Sequence, residues 1–92
     1  MLKVVLSNRF KRDLKLVARR GYDVELLEKT VNALAQQRNL PESNRDHAMV
    51  GNWVGYRECH IQPDWLLIYK IHGDELTLLL MRTGTHSDLF GR

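Results

Sequence analysis

The sequence predicts a single α+β domain of two layers, in which a helical hairpin packs on one face of an antiparallel sheet. Two early segments repeat apolar residues at helical spacing, whereas a short N-terminal segment and most of the second half have strand patterns. The 92 residues suffice for one two-layer core and not for a second. We therefore expect residues 1–92 to form one domain.

The first third of the chain should form a strand and two helices. Residues 2–6 are apolar and valine-rich, as in a strand, and the Ser7 hydroxyl can cap the helix that follows. The apolar stripe of this helix comprises Phe10, Leu14, Val17 and Ala18. Gly21 can end it, and Asp23 can cap a second helix that ends within residues 39–41. The buried face of the second helix comprises Leu26, Leu27, Thr30, Val31, Leu34 and Ala35.

A strand over residues 53–62 should follow an exposed connection at residues 40–52, where the helical periodicity is lost. Side chains alternate between the two faces of a strand, so Cys59 and Ile61 should face the core. His60 then lies on the opposite face of the sheet.

The remaining residues should complete the sheet. A tight turn at residues 63–64 leads into an apolar strand at residues 65–71, and residues 73–74 turn the chain into a strand at residues 76–82. Residues 83–92 are expected to add a last short strand or a loop. Because the hairpin covers only one face of this sheet, the other face should stay partly open and can carry a concave site.

Four residues around that open face are candidates for acid–base chemistry, namely His47, His60, Asp64 and His86. Histidine exchanges protons near neutral pH, so several histidines that converge with a carboxylate can give and take protons. Each candidate also has an ordinary explanation, such as an exposed strand residue for His60 or a turn residue for Asp64. The remaining histidine, His72, borders a turn and is set aside.

Neither a metal site nor a cysteine nucleophile is favoured. The sequence contains no His-x-x-x-His or Cys-x-x-Cys motif, and a proline turn separates His60 from Asp64. Cys59 is the only cysteine, and its neighbour His60 projects to the opposite side of a strand. We therefore predict a site without a metal or another cofactor.

The net charge of +3 is modest, but basic residues crowd the first helix. They are Arg9, Lys11, Arg12, Lys15, Arg19 and Arg20. This cluster can bind nucleic-acid phosphate or an acidic protein, and a solvated helix face is the alternative. No apolar run approaches the roughly 20 residues that cross a bilayer. Because the N-terminus also lacks a signal-peptide pattern, a cytoplasmic protein without membrane contact is predicted.

Two blocks of the sequence resemble the YafQ branch of the RelE-like toxins. The first runs from Arg45-Asp46-His47 through Gly51 to Lys70, and the second runs from Arg82 to Gly91. These motifs cover about the last half of the chain, and the first half agrees in its strand–helix–helix order. The resemblance implies a two-layer RelE-like fold and a toxin of a type II toxin–antitoxin pair.

The resemblance also implies an activity and partners. It implies an endoribonuclease (mRNA interferase) that enters the A site of the 70S ribosome and cuts messenger RNA there. It implies a cognate antitoxin that is acidic, binds DNA and is similar to DinJ. The positions that match the family's active site are His47, His60, Asp64 and His86. Arg82 and Phe90 match positions that contact substrate or shape the site.

RNA cleavage of this kind needs one base and one acid, because a deprotonated 2′-OH attacks the adjacent phosphorus and the 5′-oxygen leaves with a proton. We expect Asp64 or His60 as the base and His86 as the acid, while His47, Arg82 and a protonated His60 stabilise the phosphorane. On the basic helix, the residues expected to hold RNA are Lys11, Arg12 and Lys15.

Two other functions remain open at this point. Related toxins inhibit DNA gyrase by binding it, and a non-catalytic RNA-binding module would use the same basic helix. The fold does not separate these possibilities. The histidine–aspartate set favours the nuclease, because an inhibitor that acts by binding has no need of proton donors.

Overall fold

In the computed structural model, which describes residues 1–91, three α-helices pack with a five-stranded sheet. The strands are β1 (Lys3–Leu6), β2 (His47–Ala48), β3 (Arg57–Gln62), β4 (Trp65–His72) and β5 (Thr77–Gly84). The helices are α1 (Asn8–Arg19), α2 (Val24–Ala35) and α3 (His86–Phe90). The α+β class is confirmed, and no helix in this described range is long and apolar enough to cross a membrane.

The predicted helix caps are present in α1 and α2. Ser7 Oγ accepts a hydrogen bond from the Phe10 amide at 2.9 Å, and Asp23 Oδ1 accepts one from the Glu25 amide at 3.1 Å. The stripe of α1 faces the core except for Ala18, which is exposed. Helix α2 ends at Ala35, before the predicted segment 39–41, because the backbone turns left-handed two residues later.

The sheet has the order β1-β5-β4-β3-β2, and the pairs from β2 to β5 are antiparallel as predicted. Strand β1 departs from the predicted antiparallel arrangement, since it pairs in parallel with β5 from Lys3–Thr77 to Leu6–Leu80. The direction of this pair depends on a partner strand far along the chain. A local pattern of apolar residues does not contain that information.

Strand β4 separates two apolar cores. Trp65, Leu67 and Tyr69 face the main core under α1 and α2, where Cys59 and Ile61 also pack, as strand alternation predicts. Leu66 and Ile68 point to the opposite face. A second, smaller core covers part of that face, and its members are Leu66, Ile68, Leu89, Met49, Trp53, Tyr56, Met81 and Phe90. The face opposite the helices is therefore less open than the sequence predicts.

Two segments of the second half differ from their predicted structure. Trp53 belongs to a 3-10 turn, Gly51–Trp53, and β3 begins only at Arg57. At the C-terminus, β5 extends to Gly84 and a helix follows in place of the expected last strand or loop. Thr85 and Asp88 form a capping box at the start of this helix, which explains why it forms.

Candidate active site

The four candidate acid–base residues meet at one end of the sheet. His60 of β3 and His86, the first residue of α3, lie edge to face with their ring centroids 5.8 Å apart. The turn between β3 and β4 places Asp64 beside His86, and β2 places His47 opposite Glu58 of β3. The structure thus joins residues that lie up to about 40 positions apart in the sequence.

Asp64 orients His86 through two hydrogen bonds to a single oxygen. The His86 amide donates to Asp64 Oδ1 at 3.0 Å, and the His86 ring Nδ1 lies 2.5 Å from the same oxygen. These bonds hold the pKa of the Asp64 carboxyl below its ordinary value, the backbone bond being the larger cause. A carboxylate only accepts hydrogen bonds, so Nδ1 carries the proton and Nε2 of His86 is left for proton exchange.

The other two histidines have the same tautomer for a similar reason. His60 Nδ1 lies 3.1 Å from the carbonyl oxygen of Pro63, and His47 Nδ1 lies 2.8 Å from that of Arg45. Because a carbonyl oxygen only accepts, each Nδ1 must donate. All three rings therefore keep Nε2 for a substrate or a neighbouring acid.

Glu58, which is not among the residues predicted from the sequence, links His47 to His60. Its carboxylate is buried, with Oε1 at 3.5 Å from His47 Nε2 and 3.8 Å from His60 Nε2. Strand alternation already placed Glu58 on the face of His60, so the signal was present in the sequence. A buried carboxylate between two imidazoles can balance a positive charge on either ring.

A cleft of about 530 Å³ adjoins this group. His47, Glu58 and His86 line its polar part, and Trp53 and Phe90 contribute aromatic surface. Phe90 thus lies beside the site, as the sequence predicts. Aromatic rings at such a position can stack on a nucleobase, although both residues also pack in the second core.

Arg82 is held by an acidic residue of α1. Its Nε and Nη2 atoms donate to Asp13 Oδ2 and Oδ1 at 2.9 and 2.8 Å, and Asp13 also accepts the Thr83 amide at 3.2 Å. This pairing raises the pKa of Arg82. Arg82 does not line the cleft around His86. The sequence predicts that Arg82 contacts substrate, whereas two of its guanidinium donors bind Asp13. In the sequence, Asp13 is distinguished only as an acidic residue within a basic helix.

The basic cluster of α1 divides into exposed and paired residues. Lys11, Arg12 and Lys15 are exposed and form no ion pair within residues 1–91. Arg20, which follows the last turn of α1, pairs instead with Asp88 of α3. The exposed residues lie outside the cleft and form a separate basic surface.

Cys59 takes no part in the site. It is fully buried on the helix-facing side of β3, and burial raises the pKa of its thiol to about 12. A thiol with such a pKa is not a nucleophile at neutral pH. His72, which was set aside from the sequence, ends β4 and pairs with Thr77 away from the other histidines.

The geometry of this site and the fold agree with one toxin family. A family model for YafQ, a bacterial toxin of type II toxin–antitoxin systems, matches residues 2–91. The chain belongs to the YafQ toxin family. It is 42% identical over 86 residues to the mRNA interferase toxin YafQ of Escherichia coli K12. The aligned residues cover 92% of this chain and 91% of that relative. The resemblance seen in the sequence is thus confirmed.

Two solved toxin structures superimpose closely on this chain. A metal-bound toxin from Helicobacter pylori is 43% identical, with a TM-score of 0.93 over 98% of this chain and all of the other. The YafQ chain of an E. coli DinJ–YafQ complex is 37% identical, with a TM-score of 0.89 over 99% of this chain and all of the other. At these identities the likeness extends beyond the fold to the family.

The metal of the H. pylori toxin prompts a comparison with the donors present here. Within the part of the chain that the structure describes, no group of three or more His, Cys, Asp or Glu side chains is arranged to hold a metal ion. The Nδ1 atoms of His47 and His60 donate to backbone carbonyls, and that of His86 to Asp64. These bonds leave only the Nε2 atoms of the three rings as donors, and within the described residues they are not grouped to hold a metal ion, so we derive no step through one.

Proposed function

We propose that this YafQ-family toxin is an endoribonuclease that cuts messenger RNA in the A site of the ribosome. The observation that carries the proposal is the oriented His86–Asp64 pair beside His60, at the edge of a cleft with two aromatic residues. The mRNA interferase activity of the E. coli relative supports it. Acid–base catalysis needs histidines in fixed tautomers, whereas inhibition by binding alone does not.

In the proposed reaction, His60 Nε2 removes the proton from the 2′-OH and His86 Nε2 protonates the departing 5′-oxygen. The ring centroids lie 5.8 Å apart, so one phosphate beside the pair can contact both rings. Asp64 was the other candidate for the base. It accepts two hydrogen bonds from His86 and has a lowered pKa, so it is a poor base and acts better by orienting the acid.

Charge that develops on the phosphorus needs hydrogen-bond donors that stabilise it. We assign this role to His47, whose Nε2 lies beside Glu58, and to Arg82. The Nη1 group of Arg82 has no hydrogen-bond partner within residues 1–91, so this group would donate to the phosphate while Asp13 holds the other two donors. Donors that are fixed before the reaction need no reorganisation as charge develops.

RNA is held on two surfaces in this proposal. Phe90 stacks on a base next to the cut, and Lys11, Arg12 and Lys15 contact the phosphates of ribosomal RNA. The exposed lysines and arginine suit a sequence-independent contact. The choice of codon then depends on the cleft.

The proposal includes the partners and the compartment that such a toxin needs. The 70S ribosome and its messenger are the substrate complex, which places the protein in the cytoplasm. The cognate antitoxin is proposed to be acidic, DNA-binding and similar to DinJ, with support from the DinJ–YafQ complex of the E. coli relative. Opposite charge would speed its association with a toxin of net charge +3.

We also propose that the reaction needs no metal, because two imidazoles can supply both proton transfers. Cleavage should persist with a chelator of transition metals, provided that the ribosomes stay intact. Loss of cleavage that added zinc restores would contradict this part of the proposal.

The test is to map messenger ends after brief expression of the wild type, His86→Ala and His72→Ala. The third variant is a matched control, because His72 lies away from the site. The wild type and His72→Ala should produce discrete in-frame cuts, and His86→Ala should cut about 10²–10⁴-fold more slowly. Equal cutting by a folded His86→Ala protein would refute the assignment. Intact messenger with DNA damage in the wild type would favour gyrase inhibition.

A further inference from the structure

Asp88 of α3 forms an ion pair with Arg20, which follows α1. Arg20 Nη1 donates to Asp88 Oδ2 at 2.6 Å, and Arg20 Nη2 donates to Asp88 Oδ1 at 3.0 Å. This is the bidentate geometry in which a guanidinium fixes the orientation of a carboxylate as well as its position. The Asp88 side chain is 19% exposed and that of Arg20 is 37% exposed.

The same carboxylate holds the first turn of α3. Asp88 Oδ2 accepts the Thr85 amide at 2.9 Å, and Thr85 Oγ1 accepts the Asp88 amide at 3.0 Å. His86 lies between these two residues. A helix of five residues is not stable on its own, so the cap and its external partner determine where His86 lies.

Gly84 brings the backbone close to this carboxylate. Its φ of +155° disfavours other residues, and a Cβ at this position would lie 3.0 Å from both Cβ and Oδ2 of Asp88. The carboxylate therefore fits against the end of β5 with little space to move. Arg20 approaches it from α1, so Asp88 is enclosed by contacts from two elements outside its own helix.

We propose that Arg20 is a positioning residue for His86, acting through Asp88 and the capping box of α3. The inference rests on the proposed function, in which His86 is the acid. Without Arg20, Asp88 keeps its capping bonds to Thr85, so the expected loss is in the position of α3 and not in the overall fold. Displacement of α3 would separate the His86 amide and ring from Asp64 Oδ1, and the ring would lose its fixed direction.

The Arg20–Asp88 pair should persist at every pH at which the site works. The hydrogen bonds from Arg20 are the largest cause that lowers the pKa of Asp88 to about 2. The carboxylate thus stays charged near neutrality. A pH-dependent change in cleavage near neutrality would therefore not arise from this pair.

The kinetic test compares Arg20→Ala and Arg20→Lys with Arg38→Ala on ribosomes programmed with one messenger. Arg38 is exposed and forms no ion pair in the described chain, so its removal controls for the loss of one positive charge. The single-turnover rate at saturation should fall about 10- to 100-fold in Arg20→Ala, with half-saturation changed by less than about twofold. The rate of Arg20→Lys should lie between those of the wild type and Arg20→Ala, because lysine keeps the charge but cannot bind the carboxylate in bidentate geometry.

A second measurement needs no RNA. In the wild type, ring ¹⁵N–¹H correlation spectra of His86 should show one tautomer with an Nδ1 proton that exchanges slowly. Arg20→Ala should show both tautomers or faster exchange of that proton, at a temperature at which it and Arg38→Ala are both fully folded. An unchanged His86 spectrum would overturn the proposal, as would a loss of rate that Arg38→Ala shares.

These two measurements separate failure of this inference from failure of the proposed function. If the wild type itself cuts no RNA, the nuclease proposal fails and the spectra still decide whether Arg20 positions His86. If the wild type cuts and Arg20→Ala cuts equally fast, the nuclease proposal stands and the positioning role is wrong.

Discussion

Asp64 Oδ1 accepts both the backbone amide and the ring Nδ1–H of His86, so one oxygen fixes the position and the tautomer of the same residue. The pair lies at the border of the cleft, and the Asp64 carboxylate is exposed. In this arrangement Asp64 prepares His86 for proton transfer at Nε2.

Asp64→Asn should slow cleavage by about 10²–10⁴-fold with little change in folding. The amide can turn its NH₂ group toward His86 and favour the tautomer with the proton on Nε2. Single-turnover cleavage on programmed ribosomes measures the effect. Asp74→Asn, in the exposed turn between β4 and β5, is the matched control. Wild-type rates for Asp64→Asn would show that the carboxylate is not needed.

Glu58→Gln should reduce the cleavage rate by about tenfold or more, because His47 and His60 lose the negative charge that lies within 4 Å of both rings. The substitution keeps the size of this buried side chain, so thermal unfolding should change less than the rate. Glu28→Gln, on the exposed side of α2, is the control for the change in charge. If both variants cut at the parental rate, Glu58 has no part in the reaction.

The stability of the protein should fall on acidification through protonation of Asp88. Its pKa is lowered from the ordinary value of 3.8 to about 2, so its stabilising effect is present above the unfolded pKa and is lost as the pH falls through the folded one. Between about pH 4 and about pH 2, the melting temperature of the wild type should decline more steeply than that of Asp88→Asn. Parallel declines would indicate that other carboxylates dominate.

Replacement of Lys11, Arg12 and Lys15 by alanine should weaken ribosome binding without changing the site. Each lost phosphate contact should reduce the slope of log affinity against log salt by about 0.7–0.9. Binding measured from about 50 to 200 mM salt tests this expectation. Lys29→Ala, on the exposed side of α2, shows the effect of one unrelated charge. An unchanged affinity and salt slope would assign these residues to a solvated helix face.

Local chemistry made several elements predictable from the sequence. The caps at Ser7 and Asp23 depend on residues two or three positions away, and the stripe of α1 depends on spacings of three and four. Side chains alternate between the two faces of a strand, so the sequence also placed His60 on the face of β3 opposite to that of Cys59. Helix α3 was missed, although Thr85 and Asp88 have the spacing of a capping box.

What the sequence by itself determined is therefore the α+β class, the starts of α1 and α2, and the face of the sheet on which His60 lies. Tertiary structure alone decided that β1 runs parallel to β5 and that Glu58 lies between two histidines. It also decided that Asp13 holds Arg82 and that Arg20 holds Asp88. These last two contacts span 69 and 68 residues, and they form only because packing of α1 on the sheet brings their partners together. Caps and periodicity act within a few residues, whereas long-range ion pairs depend on how whole elements pack.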